Sequence, residues 1–313
     1  MDINKPLLTV VCLTYNHEGY IKNCLDGFLN QITNFNFEII VHDDASTDKT
    51  ADIVKSYEVK FPNLFKNIYQ TQNQYNNKSL NIWVDIIFPK SQGKYIALCD
   101  GDDYWTDNHK LQKQVDFLEN NIDFNICYHD VSILNNNLFS NNFIDKTKKN
   151  VASIYDLAVW GNFMHTSSVV FKKCSININS LDKNKVCDFI LYMIILNDKK
   201  IKKFDEMMSV YRYGVGFWSI SSIIDKNKFI LDNIYYILNN CEDDTIKEIM
   251  QLRLNSYAFY SLPKYLSKFE NTLDRSVSFE INNKIPISLL LNLIFKKLLF
   301  KFKKLKLYLF FNY

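Results

Sequence analysis

The chain is 313 residues long, 47% hydrophobic and 23% charged, with a formal net charge of +3. This is globular composition with enough apolar mass for a sizeable core, and the charge is too small to argue for nucleic acid as a partner. Seven cysteines, at 12, 24, 99, 127, 174, 187 and 241, form no C-x-x-C pair, which argues against a disulfide framework or a zinc site and for reduced, buried thiols. The opening MDINKPLLTVVCLTYN lacks the basic start and small-residue cleavage site of a signal peptide. No uncharged stretch reaches the roughly 18 residues that a membrane span needs, so no spanning helix is expected.

Leu7 to Leu13 reads as a buried strand. Asn16 is placed to cap a helix whose apolar positions Ile21, Cys24, Leu25, Phe28, Leu29 and Ile32 repeat every 3.6 residues. Phe37 to Val41 is a second strand ending in HDDASTDKT, where Ser46 is a candidate cap and Asp48 suits the first turn of a helix through Ala51, Ile53, Val54 and Tyr57. A short strand follows near Leu64 to Tyr69. Leu80, Trp83, Val84, Ile87 and Phe88 return to helical spacing, and Pro89 should stop that helix. Then come the strand Tyr95 to Cys99, its tip DGDD at 100–103, and a helix from about Asn108 to Asn120. Phe124 to Tyr128 and Ser167 to Phe171 read as further strands, and Asn135 to Asn150 as a polar loop. Two helices are expected between Ile223 and Tyr260. All seven glycines lie at or before Gly216, so organisation changes near 220, giving a domain at 1–220 and a helical extension at 221–313.

Alternating strands and helices predict an α/β fold with a mostly parallel sheet between helices. Ligands bind such sheets outside the carboxyl ends of the strands. Three strand ends here are polar: TYN at 14–16, DDASTD at 43–48 and DGDD at 100–103. Two carboxylates about 4 Å apart repel by roughly 4 kcal/mol at an effective dielectric near 20. Asp100, Asp102 and Asp103, with Asp43 and Asp44 nearby, therefore call for a hard divalent ion, Mg²⁺ or Mn²⁺. Such ions keep only one or two protein carboxylates and take other ligands from phosphates and water, so the tip reads as a bridge to a diphosphate. An EF-hand is excluded by Tyr104 and Leu111 at its fifth and twelfth positions. A G-x-G-x-x-G fingerprint and a Walker loop are both absent.

LTVVCLTYNHEGYIKNCLDGFLNQ, FEIIVHDDASTDKTADIV and GKYIALCDGDDYW together resemble the family 2 glycosyltransferases and their GT-A nucleotide-sugar fold. The likeness covers about residues 6–120. It continues more weakly to about 219 through GNFMHTSSVVF and DEMMSVYRYGVGFWS, a pattern similar to bacterial enzymes of surface polysaccharide or lipooligosaccharide synthesis. The resemblance implies an inverting, metal-dependent transfer from a nucleotide-diphosphate sugar, a UDP-sugar by preference, to a hydroxyl of a glycan or lipid-linked acceptor. It places Tyr15 against the nucleobase and Asp44, with Asp43 as the alternative, on the base edge. Asp102 becomes the direct metal ligand, with Asp100 nearer the ribose and diphosphate. It makes Asp188 the general base, with Asp182 and Asp198 as competitors. The family commonly carries a histidine after Tyr-Arg, but here Tyr213 and Gly214 follow Arg212, which leaves Arg212 as a candidate cation. His165 is a candidate at the sugar or acceptor. Phe217 and Trp218, beside the hinge glycines Gly214 and Gly216, are candidates for a flap.

The end of the chain, ISLLLNLIFKKLLFKFKKLKLYLFFNY, mixes lysines at 296, 297, 301, 303, 304 and 306 with Leu, Phe and Tyr. That pattern suits a helix lying on an anionic membrane surface, and a protein that is cytoplasmic and peripheral on the inner face of the cytoplasmic membrane. Two other functions use related scaffolds. A nucleotidyltransferase would want a glycine-rich basic loop after the first strand, which TYNHEGY is not. A non-catalytic carbohydrate- or membrane-binding module would be expected to lose its acidic tips, which are intact.

Overall fold

The computed structural model describes residues 5–75, 77, 80–141, 147, 149–173 and 187–255. The chain divides into a unit Met1–Ser261 and a unit Leu262–Tyr313. The second unit, with the basic tail, lies outside the described residues, as do Cys174 and Asp182.

The order begins β1 (Leu8–Thr14), α1 (Ile21–Leu29), β2 (Phe37–Asp43), α2 (Thr50–Lys60) and β3 (Ile68–Tyr69). A π-helical segment, Ile82–Ile87, then runs into α3 (Phe88–Lys90), followed by β4 (Tyr95–Leu98), β5 (Tyr104–Trp105) and α4 (Lys110–Asn120). Next come β6 (Phe124–Asn135), β7 (Leu138–Asn141), β8 (Val151–Ala152), α5 (Ile154–Trp160), a 3₁₀ turn Thr166–Ser168 and β9 (Val170–Lys172). The order closes with α6 (Asp188–Leu196), β10 (Lys200–Arg212), α7 (Phe217–Ile220) and α8 (Ile223–Asn240), then a helix at 244–255.

The strands form one sheet in the order β3-β2-β1-β4-β9-β6-β10-β5, with β7 beside β6 and β8 beside β10. From β3 to β4 all pairs are parallel, as the alternation predicts. β9 then runs antiparallel to both β4 and β6, so the sheet as a whole is mixed. Its two faces are covered separately. Leu8, Val10 and Cys12 of β1, with Ile39 and Val41 of β2, pack under α1, α2 and α4. Val11, Ile40, Ile96 and Leu98 point the other way, into a core with the π-helical segment, α5, α6 and α8. This period-two split of one strand between two cores is what makes the strands read as continuous apolar runs.

Several local expectations are corrected. Asn16 does not cap α1. Its φ is 55° and its side-chain oxygen accepts from Thr47 N at 2.8 Å, so it ties two loops together instead. Ser46 does not cap α2 either, because its hydroxyl donates to Asp43 Oδ1 at 2.5 Å, and it is Asp48 Oδ1 that accepts from Thr50 N at 2.9 Å. The helical run after Leu80 is wound as a π-helix, with Asn81 Oδ1 accepting from Trp83 N and Val84 N at 3.0 and 3.1 Å. Pro89 sits inside the final turn, which closes at Ser91 N on Ile87 O. β6 extends to Asn135 and pairs with β7, so the expected polar loop begins as a hairpin. The described cysteines are all free, and Cys12, Cys24 and Cys99 meet sulfur to sulfur at 3.9 Å under the sheet.

Candidate active site

The three polar strand ends meet on one edge of the sheet. Thr14 and Asp43 are register partners, and Gly101 N donates to Leu13 O at 2.9 Å, so the ends of β2, β1 and β4 lie side by side. Asp44 N donates to Thr14 O at 3.0 Å and brings Asp44 beside Tyr15. Tyr15 is 43% exposed, an aromatic ring open to solvent at the end of β1. The Asp44 carboxylate accepts from Gln74 N at 2.7 Å and from Tyr75 N at 3.1 Å, which fixes the loop after β3. Asp43 turns inward and accepts from Ser46 N and Ser46 Oγ. Between them and Ser46, Ala45 is held at φ 62°, a left-handed conformation that costs a non-glycine residue energy and often marks a functional turn.

At the tip of β4 the carboxylates crowd. Burial holds Asp100 well above the usual carboxylate range, and the charges of Asp102 and Asp188 raise it further. Asp103 is raised for the same reason, by burial first and Asp102 second, although Arg212 N donates to its Oδ1 at 2.9 Å. Burial also raises Asp102, opposed by the charges of His17 and Arg212. Gly216 presses on this group. A Cβ there would lie 2.6 Å from Asp102 Oδ2, so only glycine permits the approach.

Asp188 opens α6 and lies near enough to Asp100 for its charge to raise the pKa of that carboxyl. Burial raises its pKa, and Thr166, which donates to Asp188 Oδ2 at 3.3 Å, pulls it down. Thr166 also lies near enough to the Asp100 carboxyl to lower its pKa against the effect of burial. Sequence reading missed Thr166, which stands beside the residue it singled out, His165. It missed His17 as well. The His17 ring meets Thr14 Oγ1 at 3.1 Å and is lowered by burial against the pull of Asp102, Asp48 and Asp43. The HEG following TYN was the available signal.

The remaining candidates fall into different surroundings. Arg212 is 8% exposed, with its guanidinium carbon 5.1 Å from the Tyr20 ring centroid and 4.6 Å from that of Tyr104. It also donates to the Asp102 carbonyl, so it braces the acidic loop from behind. His165 is buried with its ring centroid 4.5 Å from that of Tyr211, and burial lowers its pKa to about 4. Trp218 is 46% exposed on the short α7. Asp198 follows the C-terminus of α6, at the opposite end from Asp188.

The model of glycosyl transferase family 2 matches residues 9–174, more than half the chain. The chain belongs to that family. The chain is 33% identical over 225 residues to an uncharacterized protein of Mycobacterium tuberculosis (strain ATCC 25618 / H37Rv), covering 71% of this chain and 63% of that one. It thus spans less than two thirds of the length of that relative. It is 35% identical over 118 residues to TuaG of Bacillus subtilis, assigned to teichuronic acid biosynthesis as a glycosyltransferase, covering 36% of this chain and 42% of TuaG. Among solved structures it resembles residues 1–349 of S. aureus TarS in complex with UDP-GlcNAc, with a TM-score of 0.60 at 17% identity over 86% of this chain and 76% of that one. It also resembles the mannosyltransferase PcManGT from Pyrobaculum calidifontis in complex with GDP-Man and Mn²⁺, with a TM-score of 0.53 at 14% identity over 86% of this chain and 76% of that one. At these identities the structural likeness establishes the fold, a mixed α/β architecture of GT-A type.

The donor set suits a hard cation held jointly with a ligand. Among the described residues no three side chains converge to hold a metal by themselves. Asp100 and Asp102 crowd at the tip of β4, where a divalent ion would favour their ionised forms against burial, with other ligands and water filling its remaining positions.

Proposed function

We propose that this family 2 glycosyltransferase moves a sugar from a nucleotide-diphosphate donor, a UDP-sugar by preference, to a hydroxyl of a glycan or lipid-linked acceptor, with inversion. The observation that carries the reading is the convergence of the polar ends of β2, β1 and β4 on one edge, with Asp188 at the start of α6 near enough for its charge to act on Asp100. Two roles are needed in one place, a seat for a departing diphosphate and a base for an attacking hydroxyl, and this cluster offers both.

In this reading Tyr15 stacks on the nucleobase, and Asp44, already aligned by the backbone of residues 74 and 75, reads its edge. Asp102, with Asp100 beside it, would hold Mn²⁺ or Mg²⁺. The ion supplies Lewis-acid stabilisation of the charge that builds on the leaving group. Asp188 accepts the proton of the acceptor hydroxyl as the new bond forms. Its raised pKa makes it a better base than an ordinary aspartate, which is how buried carboxylates serve at neutral pH. Thr166 keeps Asp188 aimed into the cleft. Arg212 sets the position of Asp102 through the backbone.

The UDP-GlcNAc held by TarS and the GDP-Man and Mn²⁺ held by PcManGT support a nucleotide-sugar donor and a metal for this chain. The likeness to TuaG, named as a teichuronic acid biosynthesis glycosyltransferase, supports a polysaccharide acceptor. Among the described residues no helix is long and apolar enough to cross a membrane. A lipid-linked acceptor would give the lysine-rich tail its use, as an anchor on the inner face of the cytoplasmic membrane. The reading is tested by incubating the protein with a panel of nucleotide sugars, Mn²⁺ and cell-envelope glycolipid extract. One donor should be consumed, with an inverted anomeric centre in the product and loss of activity in excess chelator. A retained configuration, or full activity without metal, would overturn it.

A further inference from the structure

We propose that the cleft between Tyr75 and the start of α8 is a binding subsite for a neutral pyranose ring of the acceptor; this rests on the glycosyl-transfer reading above. Tyr75, Trp218 and Phe229 line this depression, together with Asp225, Lys226 and Asp232. The three aromatics are 55%, 46% and 38% exposed. The Trp218 and Phe229 rings stand edge to face with centroids 5.7 Å apart. Such rings left open to water are a latent contact surface.

The rim decides what kind of contact. Asp225 and Asp232 are balanced by Lys226 and Lys228, so the cleft carries no formal charge of one sign to attract a phosphate or a basic peptide. Lys226 Nζ stands 5.9 Å from the Trp218 ring, and the Asp225 carboxylate is already turned to accept from Ser222 Oγ at 2.6 Å. An apolar face bordered by carboxylates and ammonium groups matches a pyranose, which has a C–H face and a ring of hydroxyls that both donate and accept. A purely apolar ligand would make no use of this polar rim.

The cleft also adjoins the chemistry. Tyr75 N donates to Asp44 Oδ2 at 3.1 Å. Gly216, two residues before Trp218, lies against Asp102 Oδ2. Asn233, next to Asp232, accepts from Cys187 Sγ at 3.3 Å, and Cys187 immediately precedes Asp188. A ring seated on Trp218 is therefore bordered by residues tied to the base-reading loop, the acidic tip and the general base.

The test is saturation-transfer NMR on the full chain with UDP and Mn²⁺ present, using methyl glycosides of glucose, galactose, mannose, N-acetylglucosamine and N-acetylmannosamine as probes. At least one should receive saturation at its ring protons. Trp218→Ala and Phe229→Ala should each weaken its binding about tenfold or more, the scale of a lost central aromatic anchor. Should either aromatic variant melt early, Asp232→Asn, which removes only a charge, takes its place. No transfer to any probe, or transfer undiminished in the variants, would overturn the subsite. A parallel titration with UDP separates the two readings, since failure of UDP to bind refutes the donor site and leaves a variant-sensitive saccharide signal intact.

Discussion

Replacing Gly216 by alanine tests the acidic tip at a single contact. Its φ lies outside the left-handed region, so alanine can take the backbone without strain. The added methyl would lie 2.6 Å from Asp102 Oδ2, whereas ordinary contact begins at 3.4 Å. The carboxylate must move by about 0.8 Å or rotate away, and misplacement of a reacting group by about 1 Å can cost on the order of 10²-fold in rate. Gly216→Ala should therefore lower turnover about 10²-fold with little change in melting temperature. Gly214 supplies the contrast. Its φ is +86° and nothing lies within 4 Å of a Cβ there. Gly214→Ala should cost about 1–2 kcal/mol of backbone strain, with its larger effect on melting temperature. The assay is Mn²⁺-dependent donor hydrolysis beside thermal melts of both variants. A double-mutant cycle completes it: if Gly216→Ala acts through Asp102, adding it to Asp102→Asn should cost almost nothing further. Full turnover in Gly216→Ala, or additive losses in the cycle, would refute the argument.

Asp188→Asn should lower turnover by about 10²-fold or more with donor affinity nearly unchanged, since a base acts on the acceptor. The wild-type rate should rise with pH through the raised pKa of Asp188 and then level, because only the ionised form accepts a proton; kinetics of the variant that keep this limb would move the base elsewhere. Lys110 is wholly buried, its Nζ 4.2 Å from the Trp105 ring centroid and without a hydrogen-bond partner, and burial lowers its pKa from 10.5 to about 7. Between those values the unfolded chain binds a proton that the folded chain does not, so this residue makes stability rise with pH. Lys110→Met should raise the urea midpoint at pH 7 and flatten its rise toward pH 10, and an unchanged slope would contradict the assignment. Truncation after about Pro286 should abolish salt-sensitive binding to anionic vesicles, at about 1 kcal/mol for each lysine lost from the surface, while donor hydrolysis persists; vesicle binding by the truncated chain would dismiss the tail as the anchor.

The parallel half of the fold was legible because its signals are local. A buried strand such as Val10-Val11-Cys12 shows its burial in its own composition, and an acidic tip such as Asp100-Gly101-Asp102 is contiguous in the chain. The order β2-β1-β4 then brings Thr14, Asp43 and Asp100 to one edge without further instruction. β9 was not legible in the same way, since an apolar run reads alike in a parallel and an antiparallel slot. Only the pairing of Ile96 with Phe171 decides its direction. Arg212 illustrates the limit for a site residue, because the chain shows a cation after an aromatic and the packed structure shows a brace between Tyr20 and Tyr104. Thr166 likewise carries no mark in its own stretch. It matters because the 3₁₀ turn before β9 sets its hydroxyl to donate to Asp188. The sequence by itself determined the first strands and helices and which strand ends carry charge, since hydrophobic periodicity acts over a few neighbouring residues, whereas β10 and the hairpin β6-β7 emerged only in the folded chain. The tertiary structure decided which distant side chains share a proton or a charge, because burial and electrostatic coupling depend on distances that no run of neighbours records.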